Sequence, residues 1–358
     1  MIQISKIKSI ESILNEFSPS THILVDVRSE SEFALDHIPG AYNLPVLNDL
    51  ERAEVGTEYK HNPFTARQLG AKRIAGNLKN NLEKIEQLIF NFNQKNTTDH
   101  KPFCQFVVYC WRGGMRSKSL FTVMDLIGYK TFLVDGGYQN YRRYVNDYFQ
   151  NQEFPDTVSI YGPSGSGKSE LLSNLMQAGK PALHLEKYAN HKGSLLGGDS
   201  ADQPSQKLFE SYLFQALQKI KSKYSIVEGE SKKIGRIQLP DKYYSKMYSG
   251  KKIWVELPLE LRAKRLAEEY DKSDEFILKK IQYLKRFLSR EIYLQITQAI
   301  TDNDRYTASI LLLKYHYDLH YLKGSPEKST DRKYEQVFQA DSFENLNTQV
   351  IDYFNSLE

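Results

Sequence analysis

Apolar runs alternate with polar, helix-like stretches in the first part of the chain. THILVDVRSESEF (21–33) has the pattern of a buried strand followed by a helix start, with Ser29 or Ser31 as its cap. FVVYC (106–110) is a second buried run, and the KSLFTVMDLIGY stretch after it indicates a helix that ends at Gly128. Short strands that alternate with helices predict a parallel α/β sheet.

The same pattern restarts beyond a polar, proline-containing joint, NQEFPD, at residues 151–156. TVSIYGPSGSGKSELLSNLMQAG (157–179) indicates a strand, a glycine-rich loop and a helix, and YSIVEGE and KIWVELP are further strand candidates. The polar stretch at 51–95 is predicted to be helical in its second half, and 273–322 to be a long helical stretch. This restart predicts an α/β fold with two domains joined near residue 150.

The composition is that of a folded globular protein. Of the 358 residues, 40% are hydrophobic and 26% are charged, which is too apolar for a disordered chain. No run approaches the roughly 18 apolar residues of a membrane span, and the opening MIQISKIKSIESI lacks the cleavage site of a secretory signal. We therefore expect a cytoplasmic protein without a membrane partner. The net charge of +4 permits a nucleic-acid partner without requiring one.

The chain has two cysteines, Cys104 and Cys110. On a single strand, at roughly 3.3 Å per residue, they would lie about 20 Å apart, which is too far for a disulfide. We assign no chemistry to Cys104. Cys110 is expected to be a free thiol at the start of the loop CWRGGMRS (110–117).

The residues after Cys110 are those of an anion-binding loop. Cations and a helix N-terminus favour the nucleophilic thiolate, and the loop contains two arginines. Its paired glycines let successive backbone N–H groups turn inward, and Arg116 can hold a phosphate-like group with both arms of its guanidinium. We therefore predict that Cys110 and Arg116 are catalytic. The predicted anion cradle consists of Arg112, Gly113, Gly114, Met115 and Ser117.

The spacing of five residues between Cys110 and Arg116 fits a tetrahedral oxyanion such as phosphate. Cys-based phosphatases share this spacing, although the bulky Trp111 and the lack of an obvious general acid speak against one. Upstream, Asp26 and Arg28 are predicted to organise the domain through buried hydrogen bonds. His37 is expected to stabilise a turn.

GPSGSGKS (162–169) matches G-x-x-x-x-G-K-[ST] at every fixed position and lies between a strand and a helix, which is the context of a Walker A loop. Backbone N–H groups and the helix dipole bind phosphate oxygens in such a loop. The predicted phosphate-binding residues are Gly162, Gly165, Ser166, Gly167, Lys168 and Ser169. Ser169 would hold Mg²⁺ if a metal is used, and no other metal ligand is assigned.

No clean Walker B aspartate follows the apolar run SIV (225–227), and Glu228 and Glu230 come after that run instead. These carboxylates could coordinate a metal or orient a nucleophile, or they could belong to a solvated loop. Arg236 contributes to a basic patch in the same segment. Arg262 and Arg265 share a helix face through their i,i+3 spacing; they are candidates for phosphate contact, with a solvated charged face as the alternative.

Several motifs resemble known families. LVDVRSESEFALDHIPGAYNLP (24–45), CWRGGMRS and LVDGGYQNY (133–141) resemble the motifs of rhodanese-like domains. Together with ERAEVGTEYKHNPFTARQLGA, GPSGSGKS, ANHKGS and EGESKKIGRIQLP, they resemble the tRNA 2-selenouridine synthase family over nearly the whole chain. The resemblance implies a rhodanese-like domain at 1–150 and a P-loop domain at 151–358, the latter with a helical segment at 273–322.

The resemblance also implies a chemistry. Members of the family alkylate the sulfur of 2-thiouridine at the tRNA wobble position with geranyl diphosphate, and then exchange the S-geranyl group for selenium from selenophosphate. Lys168 and its loop would then hold the diphosphate, and the Cys110 cradle would hold selenophosphate with Arg116 on its phosphate. The implied partners are tRNA and a selenophosphate-producing enzyme, and no tightly bound cofactor is implied.

Three other hypotheses stay open. A P-loop kinase fused to a sulfurtransferase would turn over ATP in a manner that depends on Lys168. A non-catalytic persulfide carrier would need Cys110 but not Lys168. A Cys-based phosphatase would hydrolyse aryl phosphates.

Overall fold

The computed structural model divides the chain into two compact units, Met1–Gln152 and Glu153–Glu358. It describes residues 3–16, 18–95, 104–191, 203–229, 231–269, 273–321, 325–326 and 333–357. In those stretches, none of the helices combines the length and the apolar character needed to cross a membrane.

The first unit is built on a parallel five-stranded sheet in the order β1-β5-β4-β2-β3. Its strands are β1 (Ile7–Lys8), β2 (His22–Asp26), β3 (Tyr42–Asn43), β4 (Gln105–Tyr109) and β5 (Thr131–Val134). Its helices are α1 (Ile10–Glu16), α2 (Glu30–Leu35), α3 (Asp49–His61), α4 (Pro63–Lys95), α5 (Met115–Ile127) and α6 (Gly137–Asn151), with a 3₁₀ turn at Ile4–Lys6. Side chains such as Val25, Phe106 and Val108 are buried in the sheet, which explains the continuous apolar runs of its strands.

The helix pair α3–α4 differs from the sequence-based expectation. Helical structure was predicted only in the second half of 51–95, but it begins at Asp49. A capping box between Asn48 and Glu51 starts α3. This helix has no fully buried residue, so its first turns lack the apolar periodicity that would reveal a helix.

The second unit is built on another parallel sheet, in the order β12-β11-β6-β8-β7. Its strands are β6 (Asp156–Tyr161), β7 (Ala182–Leu183), β8 (Tyr224–Glu228), β11 (Lys251–Glu256) and β12 (Gln336–Gln339), and β9 (Lys233–Ile234) and β10 (Ile237–Gln238) form a separate antiparallel pair. Its helices up to the C-terminal region are α7 (Lys168–Gln177), α8 (Leu185–Tyr188), α9 (Gln206–Gln218), α10 (Asp241–Ser249) and α11 (Leu259–Glu269). The central strand β6 leads directly into the glycine-rich loop.

The segment predicted as a long helical stretch is helical but not continuous. Its described part contains α12 (Asp274–Ile281), a 3₁₀ turn (Gln282–Arg286), α13 (Arg290–Thr301), α14 (Arg305–Leu312), a π-turn (Leu313–Tyr317) and α15 (Asp318–Tyr321); α16 (Phe343–Ser356) follows β12. Ser289 caps α13 and Asp304 caps α14, and Asn303 adopts a φ of 58° just before the second cap. These caps break the stretch into shorter helices that close around their own apolar core.

Candidate active sites at a cysteine loop and a phosphate loop

Cys110 lies directly after β4, on the floor of the loop that leads into α5. Its side chain is 2% exposed. The Gly114 backbone N–H donates to its sulfur at 3.2 Å, and the Ser117 hydroxyl lies 3.2 Å from the same atom. Gly113 adopts a φ of 67°, in the left-handed region that favours glycine. The loop therefore points a backbone N–H and a hydroxyl at one buried sulfur atom.

The paired glycines after β5 form the wall behind this loop. Gly137 adopts a φ of 58°, and a Cβ there would lie 2.2 Å from the Cys110 carbonyl oxygen. The Tyr138 N–H donates to that same oxygen at 2.8 Å. Only glycine permits this close approach, which explains why the VDGGY motif accompanies the cysteine loop.

Arg116 lies in the first turn of α5 and pairs with Glu32 of α2, at 2.6 Å between Nη1 and Oε2. Arg52, in the first turn of α3, reaches the same carboxylate oxygen at 3.2 Å. Burial raises the pKa of Glu32, but hydrogen bonding and charge from Arg116, together with the charge of Arg52, outweigh it and hold that pKa below its ordinary value. Glu32 is therefore an ionised counter-charge at the rim of the cysteine loop.

The other cradle residues divide between the surface and the interior. Arg112 and Met115 are exposed, with Met115 at 52%, whereas Ser117 is fully buried. The Trp111 ring packs against Tyr138 with ring centres 5.2 Å apart. The loop thus offers a charged and apolar mouth above its buried sulfur.

The structural roles predicted upstream are confirmed. Arg28 and Asp26 form a buried ion pair at 2.6 Å, and Arg28 also donates to the Asp36 carbonyl oxygen. His37 stacks on Phe33 with ring centres 3.8 Å apart and hydrogen-bonds to the backbone oxygen of that residue. These groups hold the turn after α2.

The glycine-rich loop of the second unit runs from the end of β6 to the start of α7, so the predicted strand, loop and helix are all present. Gly165 and Gly167 adopt φ values of 81° and 77°. A Cβ at Gly165 would lie 2.6 Å from the Arg262 carbonyl oxygen, and one at Gly162 would lie 2.1 Å from that of Val255. Gly165 and Gly167 are therefore required by their backbone angles, and Gly162 and Gly165 by close packing.

The loop and the first turn of its helix carry three polar side chains of the kinds that bind phosphate or a cation. Lys168 Nζ donates to the Gly162 carbonyl oxygen at 2.8 Å and so lies across the loop. The Ser166 hydroxyl is fully buried, and no hydrogen-bond partner for it occurs in the described part of the chain. A phosphate oxygen would satisfy that hydroxyl. Ser169 donates to Glu186 of α8 at 3.1 Å, so a cation held by Ser169 would meet a carboxylate.

Glu228 ends β8, the strand next to β6, and is completely buried. It accepts hydrogen bonds from the Leu185 N–H at 2.9 Å and lies 3.2 Å from Nδ1 of His184, whose Nε2 lies 3.1 Å from the Ser173 hydroxyl. The solvated-loop alternative is therefore wrong for Glu228, because this residue belongs to β8 and its carboxylate is buried and hydrogen-bonded. Glu230 lies outside the described residues. The described residues include no cluster of three or more potential metal ligands.

Comparison with known proteins identifies the family. Residues 155–282 match the model of the tRNA 2-selenouridine synthase AAA domain, and residues 9–144 match that of the rhodanese-like domain. The chain is similar to proteins named tRNA 2-selenouridine synthase from three bacteria. These are from Nitrosomonas europaea (36% identity over 69% of this chain and 63% of the relative), Bdellovibrio bacteriovorus (35%, 69% and 64%) and Hydrogenovibrio crunogenus (34%, 69% and 67%).

The chain belongs to the tRNA 2-selenouridine synthase family. The family resemblance predicted from the motifs is thus confirmed. The match spans just under two thirds of the length of the first two of these relatives.

The arginines predicted near the phosphate loop of this family member take different positions. Arg262 is 4% exposed and forms a bidentate pair with Asp318 at 2.8 and 2.7 Å, so the solvated-face alternative is wrong for it. Arg262 also donates to the Ser164 carbonyl oxygen at 3.2 Å. Arg265 pairs with Glu170 of α7. Both therefore brace the loop and the first turn of its helix.

Arg236 lies between β9 and β10. Its guanidinium donates to the carbonyl oxygens of Gln203 and Pro204, and its N–H donates to the Gln203 side chain. Arg236 thus organises the segment before α9.

In the family motif ANHKGS (189–194), the His191 backbone N–H donates to the Glu186 carbonyl oxygen, whereas Lys192 lies outside the described residues.

Sequence reasoning missed three acidic or imidazole side chains at these sites: Glu32, Glu186 and His184. Glu32 had a readable local signal, because it completes a capping box with Ser29 at the start of α2. That signal predicts a helix start and not a partner for Arg116, which lies 84 residues further along the chain. His184 precedes α8 and Glu186 lies in its first turn, and this four-residue helix is too short to carry a periodic pattern.

We expect Arg262→Ala to destabilise the second unit by about 3–5 kcal/mol, because it leaves the Asp318 carboxylate buried without its partner. Chemical denaturation would measure the loss. Lys264→Ala, an exposed change on the same helix, is the control and should stay within about 0.5 kcal/mol of the unchanged protein. A loss below about 1 kcal/mol for Arg262→Ala would contradict a stabilising role for the pair.

Glu228 should make stability depend on pH. Burial, more than any other influence, raises its pKa above the ordinary value. Between these two pKa values the folded protein keeps a proton that the unfolded chain has lost, so the free energy of unfolding falls as the pH rises and levels off above the folded pKa. Glu228→Gln should remove this fall, as measured by urea denaturation at a series of pH values. The exposed Glu260→Gln should leave it in place, and an unaltered profile in Glu228→Gln would exclude Glu228 as its source.

Proposed function

We propose that this protein is a cytoplasmic transferase that converts 2-thiouridine at the wobble position of tRNA to 2-selenouridine. The proposal is supported by membership of the tRNA 2-selenouridine synthase family and by the presence of a cysteine loop and a phosphate loop in one chain. The observation that carries most weight is the placement of Cys110, whose buried sulfur receives the Gly114 N–H beneath a mouth held by Arg116.

In the proposed first step, the thiocarbonyl sulfur of the uridine attacks the allylic carbon of geranyl diphosphate. A carbon–sulfur bond forms, the carbon–oxygen bond breaks and diphosphate leaves. The backbone of the loop, Lys168 and the buried Ser166 hydroxyl would stabilise the charge that develops on the leaving diphosphate. Mg²⁺ would find Ser169 and Glu186 side by side, and no nucleotide hydrolysis is required.

In the proposed second step, selenium from selenophosphate replaces the S-geranyl group. Arg116 would bind the phosphate of selenophosphate once its guanidinium is shared between that anion and Glu32. The thiolate of Cys110 would attack the phosphorus of selenophosphate, so that a sulfur–phosphorus bond forms, the selenium–phosphorus bond breaks and selenide leaves. The selenide would then attack C2 of the uridine, where a carbon–selenium bond forms, the carbon–sulfur bond breaks and the geranyl thiolate leaves. Water would release phosphate from Cys110 and restore its thiolate. A selenophosphate-producing enzyme is the implied supplier.

A P-loop kinase fused to a sulfurtransferase is the second candidate. It is favoured by the contact between Ser169 and Glu186, which resembles the hydroxyl and carboxylate pair that holds Mg²⁺ in nucleotide-binding P-loop proteins. This candidate predicts ATP turnover in the absence of tRNA.

Nucleoside mass spectrometry tests the proposal. The purified protein is incubated with tRNA that contains 2-thiouridine and with geranyl diphosphate, with and without selenophosphate. We expect an S-geranyl nucleoside without selenophosphate and a selenonucleoside with it. A tRNA of unchanged mass under both conditions, combined with ATP turnover, would overturn the proposal in favour of the kinase.

A further inference from the structure

The helix pair α3–α4 forms an arm (residues 49–73) with little packing function. Helix α3 has no fully buried residue, and its Val55 is the one side chain among its described residues that packs against the apolar core of the first unit. A single residue, Asn62, joins the two helices. Apart from the buried Ala66, the residues from 59 to 68 are exposed, so the far half of the arm contributes mostly surface.

The tip of this arm presents two aromatic rings to solvent. Tyr59, in the last turn of α3, is 56% exposed, and Phe64, in the first turn of α4, is 64% exposed. Single exposed apolar side chains are common on proteins. Two rings on either side of one turn form a concentrated apolar feature, of the kind that marks an interaction site.

Basic residues lie between and beside these rings. From 58 to 68 the chain has one acidic residue, Glu58, against Lys60, His61 and Arg67. The acidic residues at the base of the arm are already engaged, since Asp49 accepts from Ser31 and Glu54 pairs with Arg73. Cations therefore outnumber carboxylates at the tip, whereas Asp49 and Glu54 at the base are used within the protein.

The base of the arm lies at the rim of the cysteine loop. Arg52 reaches Glu32 at 3.2 Å, and Glu32 holds Arg116 at 2.6 Å. Tyr59 lies seven residues beyond Arg52 on the same helix, which corresponds to roughly 10 Å along the axis. A flexible polymer bound at the tip is therefore within reach of Cys110.

We propose that the tip of the arm is a docking site for single-stranded RNA, where unpaired bases of the tRNA anticodon loop stack on Tyr59 and Phe64 and phosphates contact Lys60 and Arg67. This inference rests on the proposed function, because it takes tRNA as the substrate. Rings interleaved with cations match the two needs of a single strand, a stacking platform and charge for the backbone. A membrane or a second copy of this chain would instead require a broad apolar face, and the tip is interrupted by polar residues such as Thr65 and Gln68.

Binding of a fluorescent anticodon stem-loop, followed by anisotropy without other substrates, tests the proposal. The variant Tyr59→Ala/Phe64→Ala should bind at least about tenfold more weakly, because each lost stacked base weakens binding by roughly five- to hundredfold. Phe90→Ala is the matched control: Phe90 is 62% exposed on the same helix α4, but lies beside Glu83 and Glu86. Its affinity should not change.

The basic residues have a separate readout. Affinity falls as salt rises, and each phosphate contact to a single strand contributes about 0.7 to the steepness of log affinity against log salt. Lys60→Gln/Arg67→Gln should therefore make this negative slope shallower by about 1.4. Because all four tip side chains are exposed, the melting temperatures of the variants should equal that of the unchanged protein.

Unchanged RNA affinity in the ring variant overturns the proposal, as does a failure of the unchanged protein to bind the stem-loop. Loss of self-association in the ring variant, with RNA affinity intact, would assign the tip to a contact between copies of this chain and also overturns it. RNA affinity that depends on the rings, together with no geranyl or selenium product, would support the arm while refuting the proposed function.

Discussion

Cys110→Ala should abolish 2-selenouridine formation while leaving S-geranyl product at the level of the unchanged protein. The variant removes the sulfur that the Gly114 N–H and the Ser117 hydroxyl contact. Because loss of a covalent nucleophile removes its pathway entirely, we expect the selenium step to slow on the order of a thousandfold or more. Single-turnover assays on tRNA that already carries the S-geranyl group would measure this step alone.

Cys104→Ala is the matched control for Cys110. Burial raises the pKa of Cys104 to about 11, so this side chain remains a thiol at neutral pH and is a poor nucleophile. The variant should therefore form 2-selenouridine at the normal rate. A selenium step that survives in Cys110→Ala, or that fails in Cys104→Ala, would remove Cys110 from the proposed role.

Lys168→Ala should have the complementary effect and abolish geranyl transfer. The Lys168 ammonium lies 2.8 Å from the Gly162 carbonyl oxygen, in the loop that we propose holds the diphosphate. Removal of one preorganised charge from a developing anion typically slows a reaction by roughly 10²- to 10³-fold, which is the loss we expect for the S-geranyl product. Mass spectrometry of tRNA incubated with geranyl diphosphate would measure it.

The same variant separates the two proposed steps. With tRNA geranylated beforehand, Lys168→Ala should still exchange the S-geranyl group for selenium. The exposed Lys264→Ala on α11 should behave as the unchanged protein in both assays. Normal geranylation by Lys168→Ala would show that the phosphate loop does not hold the diphosphate, and ATP turnover lost in the same variant would support the kinase instead.

Local rules allowed much of both loops to be predicted. The phosphate loop needs left-handed glycines at Gly165 and Gly167 and a buried strand before it. Both features can be read locally from the sequence, so the loop could be predicted. The helix end predicted at Gly128 is confirmed, and Gly128 adopts the left-handed conformation that favours glycine at this position. Buried parallel strands were visible because both of their faces are apolar.

Long-range partners could not be predicted, because no local pattern encodes them. Arg262 finds Asp318 at a separation of 56 residues, and Arg116 finds Glu32 at a separation of 84. Charged residues are mostly exposed to solvent, and nothing in the sequence next to these residues marks them as members of a buried or partly buried ion pair. By contrast, the breaks in the C-terminal helical segment carried a local signal, since Ser289 and Asp304 are both good N-cap residues.

The edges of the two sheets have a consequence for how copies of this protein meet at high concentration. An edge strand offers unpaired backbone groups on which another chain can add a strand. In the first sheet the edges are β1 and β3, each of two residues, and in the second they are β7, of two residues, and β12, of four. A strand added to any of them would gain only a few hydrogen bonds, so aggregation by sheet extension is disfavoured by the shortness of the edges themselves.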